Sequence, residues 1–473
     1  MTSNSTPILI VGGGFSGTLT AVHLLHGTAK QDVSITLIDP ASKPGRGLAY
    51  RSNDDNLLLN VPAGNMSAFA EEPNHFVEFC QRIDPSINVG TFVSRRLYGR
   101  YLELCLQQAM VNRPGRLHIL QDEALEVSTL PNQAGFTIKL SSGQCLAAQH
   151  VVLAPGHQPP GFPLPLSFLE YGQVIAPWDF ERMNQLPGDA PILILGTGHT
   201  AVDALFHLTQ QALPRKLWMI SRHGLLPHIH RLNPTPPPHS QYPTYIGEAP
   251  LRTRALLQQL RKEAAKQQHA GGDWRDTLNQ LRPHMPKLWQ AMPLAERRRF
   301  LRHGLAFWDI HRHRLAPVSA DRLQSLLEAN EVKILAARIT DVHKSNSGEL
   351  NIEFKPRGQN LRRTLNVAAI INCTGPRMTI GPHSSPLLQQ LTQDGLLVPD
   401  ECGLGIQIND QYQPTHSQGG ATQGLWYVGP MLKARHWEAI AVPELRMHTQ
   451  QLAQQLAVEL ATSSTFSPQA ELV

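Results

Sequence analysis

Two stretches of this chain share one rhythm of apolar and polar positions. In "PILIVGGGFSGTLTAVHLL" an apolar run from Ile8 to Val11 meets a glycine cluster and then a mostly apolar stretch of helix formers. The pattern predicts a buried strand, a tight turn and a helix. "APILILGTGHTAVDALFHL" repeats that order almost two hundred residues later. Each unit is followed by short alternating runs separated by turn residues. These are "RLHILQDEALEVSTLPNQAGFTIKLSSGQCLAAQHVVLAPG" and "EVKILAARITDVHKSNSGELNIEFKPRGQNLRRTLNVAAIINCTG". Alternation of this kind predicts a three-stranded antiparallel meander that returns to a buried parallel strand. The chain therefore carries two copies of one plan.

The glycine spacing says what the plan is for. Gly12, Gly14 and Gly17 fit Gly-x-Gly-x-x-Gly. Such spacing gives a tight turn, a close backbone approach to a pyrophosphate, and close packing of helix on strand. Phe15 and Ser16 fall at the helix start, where free N–H groups and the helix dipole favour phosphate. The next strand, "VSITLIDP", closes on Asp39, an acid placed to accept from ribose hydroxyls. In the second unit Gly196, Gly198 and Ala201 take the three positions, with His199 and Thr200 opening the helix. Its following strand ends in Ser221-Arg222-His223 rather than an acid. A guanidinium there suits a 2′-phosphate, so NADPH is expected, with NADH as the other option. The fold class expected is α/β, with two Rossmann-like dinucleotide-binding domains, each carrying a meander. Two dinucleotides are expected to bind, one per domain, with hydride passing between them.

Composition narrows the field. The chain has 473 residues, of which 41% are hydrophobic and 17% charged, enough for two or three domains. No apolar run is long enough to span a membrane, and the polar start "MTSNSTPIL" shows no secretion signal, so a cytoplasmic protein is expected. Five scattered cysteines without Cys-x-x-Cys argue against a dithiol reductase. A net charge of +5 is small for a nucleic-acid binder. The partner expected is a small-molecule substrate, with neither nucleic acid nor membrane.

These features resemble the flavoproteins with two dinucleotide-binding domains, in which FAD occupies the first and NAD(P)H the second. The blocks "GRGLAYRSNDDNLLLNVPAGNMSAFAEEPNHFVEF", "FLRHGLAFWDIHRHRLAP", "INCTGP" and "LWYVGPMLKARHWEAIAVPELR" are similar to the bacterial FAD/NAD(P)-binding proteins often called uncharacterised NAD(FAD)-dependent dehydrogenases. That group is distantly similar to the N-hydroxylating flavin monooxygenases. One departure is Ala154-Pro155-Gly156, where related proteins more often carry Ala-Thr-Gly. The resemblance implies that Arg46, Gly47 and Tyr50 approach the flavin or a phosphate, and that Asn60 to Met66 face the ring. It also implies that Gly156, Gly375 and Gly429 close turns beside the cofactors, and that the chain returns to the FAD domain after Gly375. Residues 1–186 are expected to begin the FAD domain, 187–378 to form the NAD(P)H domain, and 379–473 to complete the first. A hinge is expected at Pro187 to Ala190, and a helix from about Trp437 or Glu438.

Residues 224–315 read as an insertion: a proline-rich loop, then a basic helical stretch covering the cleft. His228, His230, His239, His303, His311 and His313 gather there, but no acid completes a recognisable metal site, so no metal is expected. Arg312 and Arg314 could hold NADPH phosphates, hold an anionic substrate, or face solvent. Reduced flavin could pass oxygen from O₂ to a small substrate, with nitrogen as the candidate acceptor atom. The alternatives are a reductase that feeds a quinone or other organic acceptor, and a non-catalytic flavin or nucleotide sensor. No general acid or base is legible.

Overall fold

The structure is a computed structural model that describes residues 6–29, 31–130, 135–164, 172–211, 213–231, 241–247, 249–346 and 348–463. The proline-rich expectation at 232–240, His239 included, lies outside the described residues.

The first sheet is five-stranded, in the order β17-β7-β1-β2-β3. Its members are β1 (Thr6–Val11), β2 (Val33–Ile38), β3 (Leu117–Leu120), β7 (His150–Leu153) and β17 (Leu425–Tyr427), all paired in parallel. Helix α1 (Phe15–Gly27) links β1 to β2; α2 (Gly47–Tyr50), α3 (His75–Gln81) and α4 (Arg95–Asn112) lie between β2 and β3. The expected meander is a separate antiparallel sheet of β4 (Ala124–Thr129), β5 (Phe136–Leu140) and β6 (Cys145–Ala148). β7 is buried along its whole length, as a strand covered on both faces must be.

The second sheet has seven strands, in the order β14-β13-β12-β11-β10-β15-β9. They are β9 (Val174–Ile175), β10 (Ile192–Leu195), β11 (Leu217–Ser221), β12 (Val332–Lys344), β13 (Leu350–Pro356), β14 (Arg363–Val367) and β15 (Ala369–Asn372). Here sheet and meander are continuous. The 13-residue β12 pairs in parallel with β11 through its first half and antiparallel with β13 through its second. The short strands β8 (Gln158–Pro160) and β16 (Pro376–Arg377) pair with each other where the chain passes between the two sheets.

Two expectations change. The hinge at Pro187 comes too late, because β9 has already joined the second sheet beside β15. The C-terminal helix, α15 (Val442–Ser463), starts later than Trp437 or Glu438. Pro443 sits in its first turn, where its missing N–H has no intrahelical role. Between α5 (Phe180–Asn184) and α13 (Pro317–Glu328) lie α6 (His199–Leu208), α7 (Thr244–Gly247), α8 (Thr253–His269), α9 (Trp274–Leu281), α10 (Met285–Ala291), α11 (Leu294–His303) and α12 (Leu305–Arg312). Helix α14 (Pro386–Gln393) packs into the first core.

The inserted helices do not form a free lid. Their apolar core, with Trp289, Phe300 and Trp308, is shared with Leu404, Ala434 and Trp437 from the C-terminal region. Trp289 and Trp437 pack in a tilted pair with ring centroids 4.4 Å apart, and Trp289 donates to the Ala434 carbonyl at 3.0 Å.

Candidate functional site

Both glycine clusters sit at the carboxyl ends of central parallel strands, where open α/β sheets take their ligands. Gly12 has φ +104°, and a Cβ there would lie 2.2 Å from the Ala154 carbonyl oxygen. A Cβ on Gly17 would lie 1.8 Å from the Gly12 carbonyl oxygen. The chain needs these two glycines for its own packing. Gly14, the N-cap of α1, differs: its φ is −73°, and a Cβ would meet only Gly47 Cα, at 3.6 Å. The glycine leaves open the face in front of the first-turn N–H groups of α1, which have no intrahelical acceptor.

The second copy repeats this geometry. Gly196 has φ +125°, and a Cβ there would lie 2.3 Å from the Cys373 carbonyl oxygen. Gly198 caps α6, and a Cβ there would meet nothing within 4 Å. Ala201, in the third position, is fully buried. Gly12 donates to Ile38 at 2.8 Å and Gly196 to Ile220 at 2.7 Å, so each cluster is pinned to its neighbouring strand alike. Gly156 (φ +71°) and Gly375 (φ +89°) close the turns after β7 and β15, and neither has an atom within 4 Å of its Cβ position.

The two copies differ in charge. The half-buried Asp39 carboxylate accepts from the Gly13 N–H at 2.5 Å and the Ala41 N–H at 2.7 Å, bracing the first cluster. At the matching strand end, Ser221 Oγ accepts from the Gly224 N–H at 2.9 Å, and Arg222 stands exposed. His223 touches Arg357, and its proton affinity is lowered by burial, then by Arg357 and Arg222. A cationic edge thus replaces the acid.

The block from Gly45 to Tyr50 packs against the first cluster. Gly45 donates to the Gly13 carbonyl at 2.7 Å, and a Cβ on Gly47 would lie 3.1 Å from Gly14 Cα. Tyr50 packs edge-on against Tyr98 at 4.7 Å. Arg46 does not present a free cation. Its guanidinium makes a two-pronged pair with Glu103 of α4, both contacts at 2.8 Å, and so fixes the loop instead. Asn60 is half-buried. Met66 turns its side chain into the core with Phe15 and Tyr98, and its N–H is donated to Ala63 at 3.0 Å, so neither group faces a ligand. Gly429 (φ +145°) faces the start of α1: a Cβ would lie 4.0 Å from Ser16 Oγ. Ser16 itself is buried, whereas Thr200 is half-buried at the start of α6.

Between the copies lies a polar cluster that local pattern could not reveal. It joins the block around α12 to the segment after Gly429. Arg312 donates to Glu438 through Nε at 2.9 Å, the two side chains being 10% and 4% exposed. Arg282 pairs with Glu444 at 2.5 Å. Asp309 stays partly exposed although protein surrounds it on most sides, and desolvation pushes its carboxyl up to about 6. Lys433 stands over the Trp437 ring, 4.5 Å from its centroid, and desolvation lowers its ammonium against the pull of Asp309 and Glu438. His157, His199 and His313 are held neutral, chiefly by desolvation. His157 follows the Gly156 turn and His199 opens α6, so the cluster spans the space from one copy to the other. His157 is exposed, and His199, Asp309, His313 and Lys433 are half-buried, so the cluster keeps accessible surface.

Arg312 and Arg314 are therefore not spare phosphate binders. Arg314 is 3% exposed; it donates to the His311 carbonyl at 2.7 Å and to Asn279 at 3.0 Å, and lies over Trp274. His228 and His311 pack against Trp274, and His230 against Phe92, as ring contacts. A further ion pair, Arg95–Asp203 at 2.9 Å with side chains 12% and 10% exposed, ties α4 to α6.

Residues 9–158 match the family described as FAD-NAD(P)-binding. An uncharacterised protein of Mycobacterium tuberculosis is 23% identical over 285 residues, which are 57% of this chain and 51% of that one, so the match spans about half the length of the relative. L-lysine 6-monooxygenase from Pseudomonas syringae superposes with a TM-score of 0.66 at 18% identity, covering 97% of this chain and 100% of that one. The FAD-bound cadaverine monooxygenase of desferrioxamine biosynthesis from Erwinia amylovora also gives 0.66, at 13% identity, covering 99% and 98%. The chain thus has the fold of these monooxygenases over almost its whole length, and the family match falls on its first unit. No helix among the described residues is long and apolar enough to cross a membrane.

Proposed function

We propose that this protein is an FAD-dependent oxidoreductase that draws hydride from NADPH, and more narrowly a monooxygenase that puts one oxygen atom on a nitrogen of a small molecule. The observation that carries the reading is the duplicated cradle. In each copy the first and third positions are packed against the chain, while the middle glycine, Gly14 or Gly198, leaves an open face at a helix start. A dinucleotide pyrophosphate fits such a face.

In this reading FAD lies against Gly12, Gly14, Phe15, Ser16, Gly17, Gly47, Asn60, Gly156 and Gly429. Asp39 meets the ribose; two of its lone pairs are taken by N–H donors, and a carboxylate has about four. NADPH lies against Gly196, Gly198, His199, Thr200 and Gly375, with Arg222 at the 2′-phosphate. Bound flavin supplies the acceptance of hydride and the reactivity with O₂. The chain supplies the frame. The docked insertion walls the cleft, and the neutral histidines and desolvated Asp309 and Lys433 set its electrostatics. Likeness in fold to the lysine and cadaverine monooxygenases supports oxygenation. A dithiol relay is disfavoured, since Cys80, Cys105 and Cys373 are free and buried.

The test is NADPH oxidation by FAD-loaded protein under ¹⁸O₂ with a panel of primary amines. The reading expects one labelled oxygen atom in a product for each NADPH consumed. Quantitative electron delivery to a quinone without oxygen, and no labelled product from any amine, would favour the reductase instead.

A further inference from the structure

Among the described residues no carboxylate contacts Lys433. Arg312 and Arg282 each hold a glutamate, yet the Lys433 ammonium is in no salt bridge among the described residues. Its support is the Trp437 face at 4.5 Å. Of the two acids nearest in charge, Glu438 is held by Arg312, whereas Asp309, 4.0 Å from the neutral His313, acts on the ammonium only from beyond contact. A desolvated cation without a contacting anion is costly, and loading the site with one would remove the cost.

Its location points the same way. Lys433 lies in the short turn Pro430–Ala434, which begins at Gly429 beyond the end of β17. Its positive charge is felt by His157, just beyond the end of β7. It therefore stands over the carboxyl edge of the first sheet, the edge at which ligands gather in this architecture. Its charged neighbours from every side are Asp309 and Arg312 of α12, Glu438 of its own segment, Arg282, and the neutral His157 and His313.

We propose that Lys433 is a preformed receptor for an oxyanion in the cleft, a delocalised or carboxylate-type negative charge that its ammonium neutralises from the Trp437 side. This rests on the cleft being the flavin and nicotinamide site. Two sources share the chemistry: the negative charge on the pyrimidine edge of reduced flavin, and the carboxylate of a small organic ligand.

The test compares wild type with Lys433→Met, which keeps the stem over Trp437, and Lys433→Arg, which keeps the charge. In the first arm the midpoint potential of protein-bound FAD is measured by dye-coupled titration. If the anion is on the flavin, Lys433→Met should weaken binding of reduced relative to oxidised flavin about tenfold, a fall of about 30 mV for the two-electron couple. Lys433→Arg should restore most of it. In the second arm, thermal unfolding is followed with and without benzoate, which needs no flavin. If the anion is a small carboxylate, benzoate should raise the Tm of wild type and Lys433→Arg but not of Lys433→Met. Either result supports the receptor and identifies its source. It is overturned if Lys433→Met matches wild type in both arms. If wild type retains no FAD, the flavin reading falls on that ground, and the benzoate arm alone decides for or against Lys433.

Discussion

Replacing Gly14 by alanine separates a glycine kept for the ligand from glycines kept for the fold. At Gly14 the backbone is extended, and the new Cβ would make one ordinary contact, with Gly47 Cα at 3.6 Å. Losing glycine at an N-cap costs about 0.5–1 kcal/mol, while stiffening the unfolded chain returns about 0.4–1 kcal/mol. The apo protein should therefore unfold within about 0.5 kcal/mol of wild type. The methyl group nevertheless occupies the face through which a pyrophosphate would reach the α1 N–H groups. Lengthening one charge-assisted hydrogen bond there costs about 1.5–3 kcal/mol, so FAD affinity should fall about 10- to 150-fold. Gly14→Val should abolish FAD retention on purification. Gly12→Ala is the contrast. Its Cβ would lie 2.2 Å from the Ala154 oxygen at φ +104°, so backbone strain of about 1–3 kcal/mol adds to overpacking of about 1–3 kcal/mol. That variant should lose stability in urea even without cofactor. Urea denaturation of the apo proteins and calorimetric titration with FAD measure the two quantities separately. Unchanged FAD affinity in Gly14→Ala, or equal destabilisation by the two variants, would erase the distinction between the two glycines. Gly198→Ala and Gly196→Ala make the same comparison for NADPH.

Arg222→Ala should raise the KM for NADPH about 10- to 100-fold while leaving that for NADH nearly unchanged, since only NADPH carries the 2′-phosphate; equal effects on both would remove the case for the phosphorylated cofactor. The Arg95–Asp203 pair is nearly buried, so Arg95→Met alone should destabilise by about 3–5 kcal/mol in urea, and Asp203→Leu added to it should recover part of the loss. The recovery would be absent if the pair were a bystander. Alkylation by iodoacetamide followed by mass mapping should modify the exposed Cys145 first and spare Cys80 and Cys105, whose thiols burial pushes up to about 12. Full activity after Cys145 modification is expected, and its loss would bring a thiol into the chemistry.

The cradles were legible because their signals are local. A glycine that must hold φ +104° or +125° leaves a mark on the sequence, and so does an apolar run in front of it. The meanders were legible for the same reason, since alternation over a few residues reports one exposed face. What escaped depends on distant partners. β9 is two residues long, too short for any period, and is a strand only because β15 lies beside it. Arg46 reads as a free cation until Glu103 arrives from α4, 57 residues on. Arg312 likewise looks available until Glu438, 126 residues on, claims it. The motif around Trp437 suggested a helix, but packing on Trp289 holds that segment, and α15 begins only near Pro443. Asp309 and Lys433 were invisible as functional groups because enclosure, not sequence neighbourhood, makes them unusual.

The most direct measurement is a pair of anaerobic titrations of the purified chain, first with FAD and then with NADPH added to the FAD-saturated protein. Independent grips predict one molecule of each per chain, neither displacing the other, with bleaching of the flavin absorbance as NADPH binds. Competition between the two for a single place, or a wild-type chain that takes up no FAD at all, would mean that the two cradles do not hold separate cofactors.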